Sequence, residues 1–252
     1  MLTVFDLARM ANMAYNPKEY EIAKALDRMG FTNVWFYDRG ETQAYLAQHK
    51  DNYSVVCFRG TSFNGVDILT DINIFPKKIP QSHLNAHAGF IRSLDQLWGY
   101  KRDHVGKIKV VWSGKPVLAN DIARRAAEGQ AIIFTGHSLG GALAGLAGYR
   151  SHLENIKKIK VITFGCPKFA SPDLAKDFDA RGISFTRYRN GADIVSIVPP
   201  SFGFKHCGKG VRIGDQLSYR LFTDHKIMHY IDVLQKMEEY GKYPIEVDLD
   251  FD

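Results

Sequence analysis

Apolar residues follow two spacings along the chain, and each spacing predicts one type of element. Short runs rich in β-branched and aromatic residues predict strands at residues 33–38, 42–48, 53–60, 130–135, 158–165 and 183–190. Helical spacing predicts helices at residues 89–105, 116–129, 139–153 and 224–241. Because helices separate the later strands, the pattern predicts an α/β fold whose mostly parallel central sheet is covered by helices on both faces. The short spacers between the early strands allow an antiparallel pair there.

The N-terminal segment also has helical spacing, with apolar side chains at Leu2, Phe5, Leu7, Met10 and Met13. Charged residues interrupt this apolar run and no basic segment precedes it, so it predicts an amphipathic helix rather than a signal peptide. No apolar run in the chain approaches the ~18 residues that a membrane-spanning helix needs. We therefore expect no stable membrane insertion.

The composition is that of an ordinary globular protein, with 252 residues, of which 45% are hydrophobic and 24% are charged. No linker, repeat or low-complexity stretch divides the sequence, which predicts a single domain over residues 1–252. The net charge of +6 is modest, and the basic residues form no arginine-rich stripe or nucleic-acid motif. We expect no nucleic-acid partner, and the charge would at most help the protein to approach an anionic interface.

The cysteines Cys57, Cys166 and Cys207 are an odd number and lack the paired spacing of a disulfide framework or a zinc site. We expect them to be small buried side chains. Together with the lack of an export signal, they favour a reducing cytoplasm as the location, whereas removal of a leader would mean a secreted protein.

The stretch IIFTGHSLGG, residues 132–141, leads from a predicted strand into a predicted helix through one serine. Gly136 and Gly140 flank Ser138 in a G-x-S-x-G pattern, and glycine at both positions relieves the crowding of a strained turn that presents the hydroxyl. The backbone N–H groups at the start of the helix, beginning with Leu139, favour negative charge beside that hydroxyl. The pattern therefore predicts that Ser138 is a nucleophile.

A serine nucleophile needs a base and an acid, which in this architecture follow it in the order Ser, Asp, His. Asp193 lies directly beyond the last predicted strand and is the candidate acid, with an Asx turn in a loop as its alternative role. His206, His225 and His229 all follow Asp193, and spacing alone does not choose between them. His225 would open the last helix, with Asp224 as a possible N-cap.

Acyl transfer also requires two N–H donors for the oxygen on which negative charge develops. Leu139 supplies one of them in this pattern. The second usually comes from a loop after an earlier strand, and Thr61 directly follows the predicted strand at residues 53–60. An ordinary turn residue is the alternative role of Thr61.

Motifs from about residue 5 to about residue 235 resemble the class 3 lipases, a family that includes fungal triacylglycerol lipases and some feruloyl esterases. FTGHSLGGALAGLAG is similar to the elbow of that family, CFRGT to its oxyanion strand, and NGADIVSIVPP with FGFKHCG to its acid loop. Four further stretches are similar to other segments of the family: LARMANMAYN, DILTDI, HAGF and VITFGCPKF.

The resemblance implies an α/β-hydrolase with Ser138 as nucleophile, Asp193 as acid, and Thr61 and Leu139 as oxyanion donors. It favours His225 as the base, because HKIMHY has a histidine five residues before a tyrosine, as in bacterial and plant members. The histidine of the FGFKHCG motif is not the base in this family. The implied reaction is hydrolysis of carboxylic esters of lipids, presented singly or in aggregates, through an acyl-enzyme and without a metal or organic cofactor.

Other activities remain open on the sequence. The same site would serve a phospholipase A1 or a feruloyl-type esterase, or would transfer acyl groups to an alcohol when water is scarce. A catalytically idle hydrolase fold used as a binding module is a further alternative, which an intact triad disfavours.

Residues 62–86 are a candidate lid. Its apolar side chains, among them Ile68 and Ile72, would close over Ser138 in water and would contact a lipid interface transiently when the segment opens near Gly65. The alternative is that these side chains pack into the core, since the lid tryptophan common in fungal members is replaced here by Ile68 or a neighbour.

Overall fold

A seven-stranded sheet forms the centre of the molecule. The computed structural model describes residues 1–61, 75–102, 108–110, 117–199, 203–241, 245–249 and 251. In chain order the strands are β1 (Phe31–Arg39), β2 (Thr42–His49), β3 (Tyr53–Phe58), β4 (Pro76–Lys78), β5 (Asn85–His87), β6 (Tyr100–Arg102), β7 (Ile108–Val110), β8 (Ala131–His137), β9 (Ile159–Phe164), β10 (Ser184–Asn190) and β11 (Lys209–Ile213). The central sheet has the order β1-β2-β3-β8-β9-β10-β11, while β4 pairs with β5 and β6 pairs with β7.

The central sheet is mostly parallel, as predicted. β1 pairs antiparallel with β2 and β2 with β3, which confirms the antiparallel start. The four remaining pairings, from β3 to β11, are parallel. β11 was missed by the hydrophobic pattern because it is a short edge strand of five residues, of which Lys209, Gly210 and Arg212 are exposed.

Helices cover both faces of the sheet. They are α1 (Val4–Met13), α2 (Glu19–Asp27), α3 (Ala88–Trp98), α4 (Leu118–Ala127), α5 (Leu139–Leu153), α6 (Pro172–Ala180) and α7 (Ile227–Glu239). One apolar core lies between the sheet and α3, α4, α5 and α6, and a second core lies between the sheet and α1, α2 and α7. The α/β architecture predicted from the sequence is therefore confirmed.

The small residues of α5 let this helix lie close to the sheet. A Cβ atom at Gly148 would lie 2.6 Å from Val161 of β9, and a Cβ at Gly145 would lie 2.6 Å from the ring of Phe169. Such contacts are shorter than van der Waals distance, so larger residues would push the helix away from the strands. This close packing fixes the position of the residue that precedes α5, Ser138.

The N-terminal amphipathic helix is also confirmed. Thr3 caps α1 by accepting a hydrogen bond from the backbone N–H of Asp6 at 3.1 Å, and the Asp6 carboxylate accepts one from the N–H of Thr3 at 3.2 Å. This capping box satisfies two N–H groups at the start of the helix. Leu7 and Met10 are fully buried, and α1 packs against α7 and the sheet.

Two predicted helix boundaries were wrong. The helix predicted at residues 89–105 ends at Trp98, because Gly99 has a φ of 90° and turns the chain toward β6. The last helix begins at Ile227 and not at residue 224, so His225 does not open it and Asp224 is not its N-cap. The Asp224 carboxylate instead accepts a hydrogen bond from the backbone N–H of Ala192 at 2.9 Å.

Of the candidate lid, only residues 75–86 are described. They form the β4–β5 hairpin, in which Ile79 is buried and its N–H bonds to the carbonyl of Leu84 at 2.9 Å. The Lys77 ammonium lies 3.4 Å from the carboxylate of Asp95 on α3. This end of the segment is thus anchored to the body of the protein, whereas residues 62–74, with Gly65, Ile68 and Ile72, lie outside the described residues.

The expectation for the cysteines is confirmed, since Cys57, Cys166 and Cys207 are all buried and free. None of the described helices is long and apolar enough to cross a membrane. Across the described ranges, no group of three or more His, Cys, Asp or Glu side chains is arranged to hold a metal ion.

Candidate active site

Ser138 lies at the sharp turn between β8 and α5. Its φ of 58° and ψ of −127° are far from the values that residues other than glycine prefer. A Cβ atom at Gly136 would lie 2.5 Å from the backbone of Gly140, and a Cβ at Gly140 would lie 2.2 Å from the carbonyl oxygen of Phe58. Only glycine fits at both positions, so the G-x-S-x-G pattern holds the serine in its strained conformation.

His225 and Asp193 form a buried pair beside this turn. His225 Nδ1 lies 3.0 Å from each of the two Asp193 carboxylate oxygens. Asp193 is 0% exposed and follows the end of β10, and His225 is 6% exposed. The Asp193 carboxylate also accepts the N–H of Val195 at 2.9 Å, which is the Asx-turn arrangement. Asp193 therefore has both of the roles considered for it at once, turn former and partner of a histidine.

Tyr230, on the first turn of α7, donates its hydroxyl proton to Asp193 Oδ2. Burial alone would raise the pKa of Asp193, but the hydrogen bonds from His225 and Tyr230 and the charge of His225 outweigh it and hold that pKa below its ordinary value. Burial first, and then the Asp193 charge, raises the pKa of Tyr230 well above its ordinary value. Asp193 is therefore ionised in its pair with His225, and Tyr230 keeps the proton that it donates to Asp193.

Asp193 and His225 lie on two short loops, and hydrogen bonds join these loops. The side-chain amide of Asn190 donates to the backbone carbonyl of Asp224 at 3.1 Å, and the Asp224 carboxylate accepts the N–H of Ala192. These bonds join the loop after β10 to the turn before α7. His225 is consequently placed by the turn that precedes the helix, which corrects the prediction that the helix N-terminus presents it.

His137 and Tyr15 hold His225 from its other side, and sequence reasoning missed both. His137 Nε2 donates to the backbone carbonyl of His225 at 2.6 Å, and Tyr15 donates its hydroxyl to His137 Nδ1 at 2.9 Å. Burial, and next the charge of His225, lowers the pKa of His137 to about 3, so its ring is neutral. A neutral ring has one donor and one acceptor nitrogen, here Nε2–H and Nδ1. The ring of His137 lies 4.5 Å from that of His225.

Gly165 leaves space for the histidine–aspartate pair and was also missed. It follows β9 with a φ of 58°, and a Cβ atom there would lie 2.7 Å from Asp193 Oδ2 and 2.9 Å from His225 Nδ1. Phe164 precedes Gly165, and its carbonyl accepts a hydrogen bond from the backbone N–H of Ser138 at 2.9 Å. Gly165 therefore connects the serine turn to the pair, and the only signal for it in the sequence is a glycine at the end of a buried strand.

The backbone of the two predicted oxyanion donors lies next to the serine turn. Leu139 is the first residue of α5, so its N–H is one of the four that a helix leaves without an internal partner. The chain leading to Thr61 passes close by, since a Cβ atom at Gly60 would lie 2.6 Å from the carbonyl oxygen of His137. Thr61 itself is half-buried.

His206 and His229 occupy other positions. His206 Nε2 donates to the carbonyl of Ser196 at 2.7 Å, and burial, followed by the charge of Arg187, lowers its pKa to about 4. His229 lies within α7 and is half-buried. Of the three histidines that the spacing left open, His225 is the one that the structure pairs with Asp193.

The side chains of Ser138 and His225 each keep one polar atom available for a further hydrogen bond. Ser138 Oγ and His225 Nε2 are both buried, and neither has a hydrogen-bond partner among the described residues. Since His225 Nδ1 carries the proton that bonds to Asp193, the Nε2 of a neutral His225 has a lone pair. The arrangement can therefore take a proton from a hydroxyl that approaches Nε2.

Comparison with known proteins identifies the family. Residues 55–203 match the family model described as lipase (class 3). A lipase from Rhizopus niveus is 35% identical over 176 residues, which are 67% of this chain and 41% of the relative. Phospholipase A1-II 5 from Oryza sativa subsp. indica is 25% identical over 107 residues, covering 38% of this chain and 23% of the relative. The chain thus spans less than half of the length of these curated relatives.

Among solved structures, the lipase from Rhizopus microsporus var. chinensis superposes with a TM-score of 0.64 at 26% identity, covering 85% of this chain and 74% of that one. The shared fold is the α/β-hydrolase fold, with the same mostly parallel sheet between layers of helices. The family model covers more than half of the sequence. The chain therefore belongs to the class 3 lipase family.

Proposed function

We propose that this protein hydrolyses carboxylic esters of lipids through an acyl-enzyme on Ser138. The observation that carries the proposal is the geometry of three side chains. Ser138 is held in a strained turn, and His225 is bonded by Nδ1 to an ionised Asp193 while its Nε2 has no partner among the described residues. Family membership supports the same reaction class.

In the proposed reaction, His225 Nε2 accepts the proton of Ser138 as Oγ attacks the ester carbonyl, and later returns a proton to the leaving alcohol. Asp193 stabilises the positive charge that His225 acquires and keeps the Nδ1–H directed at the carboxylate. Water then attacks the acyl-enzyme and gives a proton to His225, which passes it to Ser138 Oγ as the bond to the acyl group breaks and the carboxylic acid product is released. Tyr230 and His137 position the acid and the base and do not contact the substrate.

The oxyanion would be stabilised by the N–H groups of Leu139 and Thr61. Negative charge develops on the carbonyl oxygen only in the transition state, so donors fixed by the backbone stabilise that state more than the substrate. The glycines of the turn hold the start of α5 and the chain leading to Thr61 close together. A loss of one such donor costs about 100- to 1,000-fold in kcat in comparable sites.

Exposed apolar side chains near His225 support a lipid substrate presented at an interface. Leu217 and Tyr219 are 87% and 88% exposed, and Leu221 and Phe222 are partly exposed on the same loop, which leads to the turn carrying His225. Four exposed apolar side chains on a loop that leads to His225 favour transient contact with a lipid surface over a purely soluble substrate. The proposed partners are therefore lipid esters, as single molecules or in aggregates.

Phospholipase A1 activity is the second candidate, because a relative with that name matches 38% of this chain. Both activities use the same triad and differ in the group attached to the glycerol. A panel of a triglyceride, a phosphatidylcholine, a feruloyl ester and p-nitrophenyl esters of increasing chain length would separate them. Phospholipid as the preferred substrate, by kcat/KM, would replace the triacylglycerol lipase assignment.

The test of the nucleophile uses Ser138→Ala with Ser151→Ala as the matched control, since Ser151 is another buried serine whose hydroxyl has no hydrogen-bond partner among the described residues. A serine-directed phosphonate should label wild type and Ser151→Ala stoichiometrically and should not label Ser138→Ala. Hydrolysis by Ser138→Ala should fall below about a thousandth of wild type. Labelling of wild type at another residue would overturn Ser138 as the nucleophile, and an unlabelled wild type without activity would support the idle binding module.

A further inference from the structure

A cleft lined by cations lies at the edge of the sheet formed by β10 and β11, apart from Ser138. It encloses about 260 Å³, and Lys168, Arg187, Arg189 and Arg212 line it. No acidic side chain is found among its described lining residues. We call this site the cationic cleft. The proposed reaction uses none of these four side chains.

The register of the two strands places the guanidinium groups on one face. Residues 185, 187 and 189 of β10 point to the same side of the sheet, so the face that Phe185 contributes to the core continues outward as Arg187 and Arg189. In β11, Gly210 lies opposite Arg187 and Arg212 lies opposite Arg189. A Cβ atom at Gly210 would lie 3.3 Å from Arg187 Nη2, so this glycine leaves room beside the guanidinium.

These cations have no carboxylate partner among the described residues. Arg187 and Arg212 donate to backbone carbonyls at 2.7–3.3 Å. Arg189 Nε is buried and has no hydrogen-bond partner in the described part of the chain. A buried N–H of a charged group without an acceptor is costly, so this donor is suited to an acceptor from outside the chain.

Burial disfavours the charged forms of two of these cations. Burial, and then the neighbouring Lys205, lowers the pKa of Lys168, and burial lowers the pKa of Arg187. The Asp179 carboxylate acts on Arg187 through its charge, and it accepts the N–H of Gly208 at 2.8 Å. The described lining of the cleft therefore carries several cations and no anion, and a bound anion would balance this charge.

We propose that the cationic cleft binds a phosphate group, carried either by a soluble phosphate or by a lipid head group. Guanidinium groups offer paired planar donors that fit phosphate oxygens, and three of them with one ammonium suit a multiply charged anion better than a single carboxylate. Arg189 Nε and the unused N–H groups of Arg187 donate to the phosphate oxygens. Lys168 adds a point charge to the same anion.

The cleft is connected to the loop that carries the proposed catalytic acid. His206 Nε2 donates to the carbonyl of Ser196, and the Ser196 hydroxyl donates to the carbonyl of Asp193 at 2.7 Å. Ser196 and His206 both line the cleft. A phosphate in the cleft consequently stabilises the acid loop, and its binding raises the Tm of the protein.

The first experiment measures binding of inorganic phosphate to the whole chain by isothermal titration calorimetry and by Tm, at constant ionic strength set with chloride. Arg189→Gln removes the buried unpartnered donor, and Arg39→Gln is its matched control, an exposed arginine on β1 at the opposite edge of the sheet. Wild type and Arg39→Gln should bind and show a raised Tm with phosphate. Arg189→Gln should bind at least about tenfold more weakly.

A second pair of variants keeps the test valid if Arg189→Gln does not fold. Lys168→Gln removes a cation whose side chain makes no hydrogen bond with the described residues, and Lys158→Gln is the control at an exposed position. Lys168→Gln should weaken phosphate binding several-fold, and Lys158→Gln should not.

Vesicle sedimentation distinguishes the two sources of phosphate, using phosphatidylcholine vesicles with and without phosphatidic acid. Binding of inorganic phosphate that Arg189→Gln weakens supports a soluble ligand. Binding only to the phosphatidic acid vesicles, again weakened by Arg189→Gln, supports a lipid head group. Absence of both, or equal binding by the cleft variants and their controls, would overturn the proposal. None of these measurements uses ester hydrolysis, so the outcome is independent of the proposed catalytic activity.

Discussion

The His225–Asp193 pair and the cationic cleft both hold charged side chains that are wholly or partly buried, and the charge is balanced differently in each. At the pair, the carboxylate that is 0% exposed has hydrogen bonds from His225, Tyr230 and the backbone of Val195. In the cleft, the arginines of β10 have only backbone carbonyls as acceptors, or none, among the described residues. The protein itself supplies the opposite charge in the first region and leaves it to a ligand in the second.

The difference follows from what each region does in our proposals. A catalytic histidine must gain and lose a proton without rearrangement, so its charge has to be stabilised in advance by fixed groups. A binding site needs unsatisfied donors, because donors already paired within the protein offer a ligand little gain. Changes at the pair should therefore affect turnover and stability strongly, and changes at the cleft should affect binding and acid stability.

We expect the largest loss of kcat when the carboxylate of Asp193, which balances the charge on His225, is removed. Asp193→Asn replaces the carboxylate with a neutral amide that neither stabilises the charged histidine nor fixes its Nδ1–H, so kcat should fall by about 1,000- to 10,000-fold. Asp173→Asn, an exposed aspartate at the start of α6, is the control and should leave kcat unchanged. Hydrolysis of a soluble p-nitrophenyl ester by the folded variants measures this. A loss of less than tenfold would mean that Asp193 is not the acid.

We expect the second-largest loss of kcat when a new methyl group displaces His225 from Asp193. Gly165→Ala puts a Cβ atom 2.7 Å from Asp193 Oδ2 and 2.9 Å from His225 Nδ1, so the histidine must move, and kcat should fall by about 10- to 100-fold. Gly182→Ala is a close control, because Gly182 has a similar φ of 67° and nothing within 4 Å of a new Cβ. Both variants bear the backbone strain of about 1 kcal/mol, which the free energy of unfolding will show.

Only Gly165→Ala brings the new methyl group against the pair, so kcat on the soluble ester separates strain from displacement. Equal activity of Gly165→Ala and Gly182→Ala would show that the pair tolerates a shift of this size.

Removing one donor from the carboxylate should have a smaller effect. Tyr230→Phe deletes the hydroxyl that donates to Asp193, and hydrogen bonds to charged groups contribute about 1.5–3 kcal/mol, so urea unfolding should show a loss in this range. Tyr188→Phe is the matched control, a buried tyrosine that stacks on Phe164 at 5.8 Å and has no hydroxyl partner among the described residues. Equal stability of the two variants would rule out a positioning role for Tyr230.

The sequence predicted those parts of the molecule that depend on local patterns. The strands around residues 33–60, 130–165 and 183–190 and the helix at residues 139–153 are confirmed because apolar periodicity and glycine positions determine them locally. Ser138 was predicted as the nucleophile from its flanking glycines, and Asp193 as the acid from its position after a strand. The choice of His225 came from resemblance, since spacing left three histidines open.

The remaining parts depend on which segments meet in space. Gly165, Tyr230 and the Tyr15–His137 contact were missed, because each acts across a long sequence separation that no local pattern reports. The cationic cleft was missed for the same reason: the net charge of +6 does not show that arginines of two strands share one face. The short elements α2 and β11 lack the apolar periodicity that identifies longer ones.

Acid should destabilise the cleft through His206, and this is the smallest effect that we expect. Burial and the neighbouring Arg187 and Lys168 hold the pKa of His206 at about 4, below its ordinary value of 6.5. The unfolded chain therefore binds a proton at higher pH than the folded one. Neutral His206 therefore contributes fully to the free energy of unfolding above pH 6.5, and this contribution is lost as the pH falls toward 4.

His206→Gln keeps a side-chain donor for the Ser196 carbonyl but cannot take up a proton. Between pH 6.5 and pH 4.5, wild type should therefore lose about 1–2 kcal/mol more of its unfolding free energy than His206→Gln does, after allowance for the partial exposure of the ring. His83→Gln, at an exposed histidine, is the control and should follow wild type. Urea unfolding at a series of pH values measures the difference. If the free energies of unfolding of wild type and His206→Gln change with pH in parallel, His206 takes up its proton in the folded protein near its ordinary pKa. An anion would then already balance the cations around it.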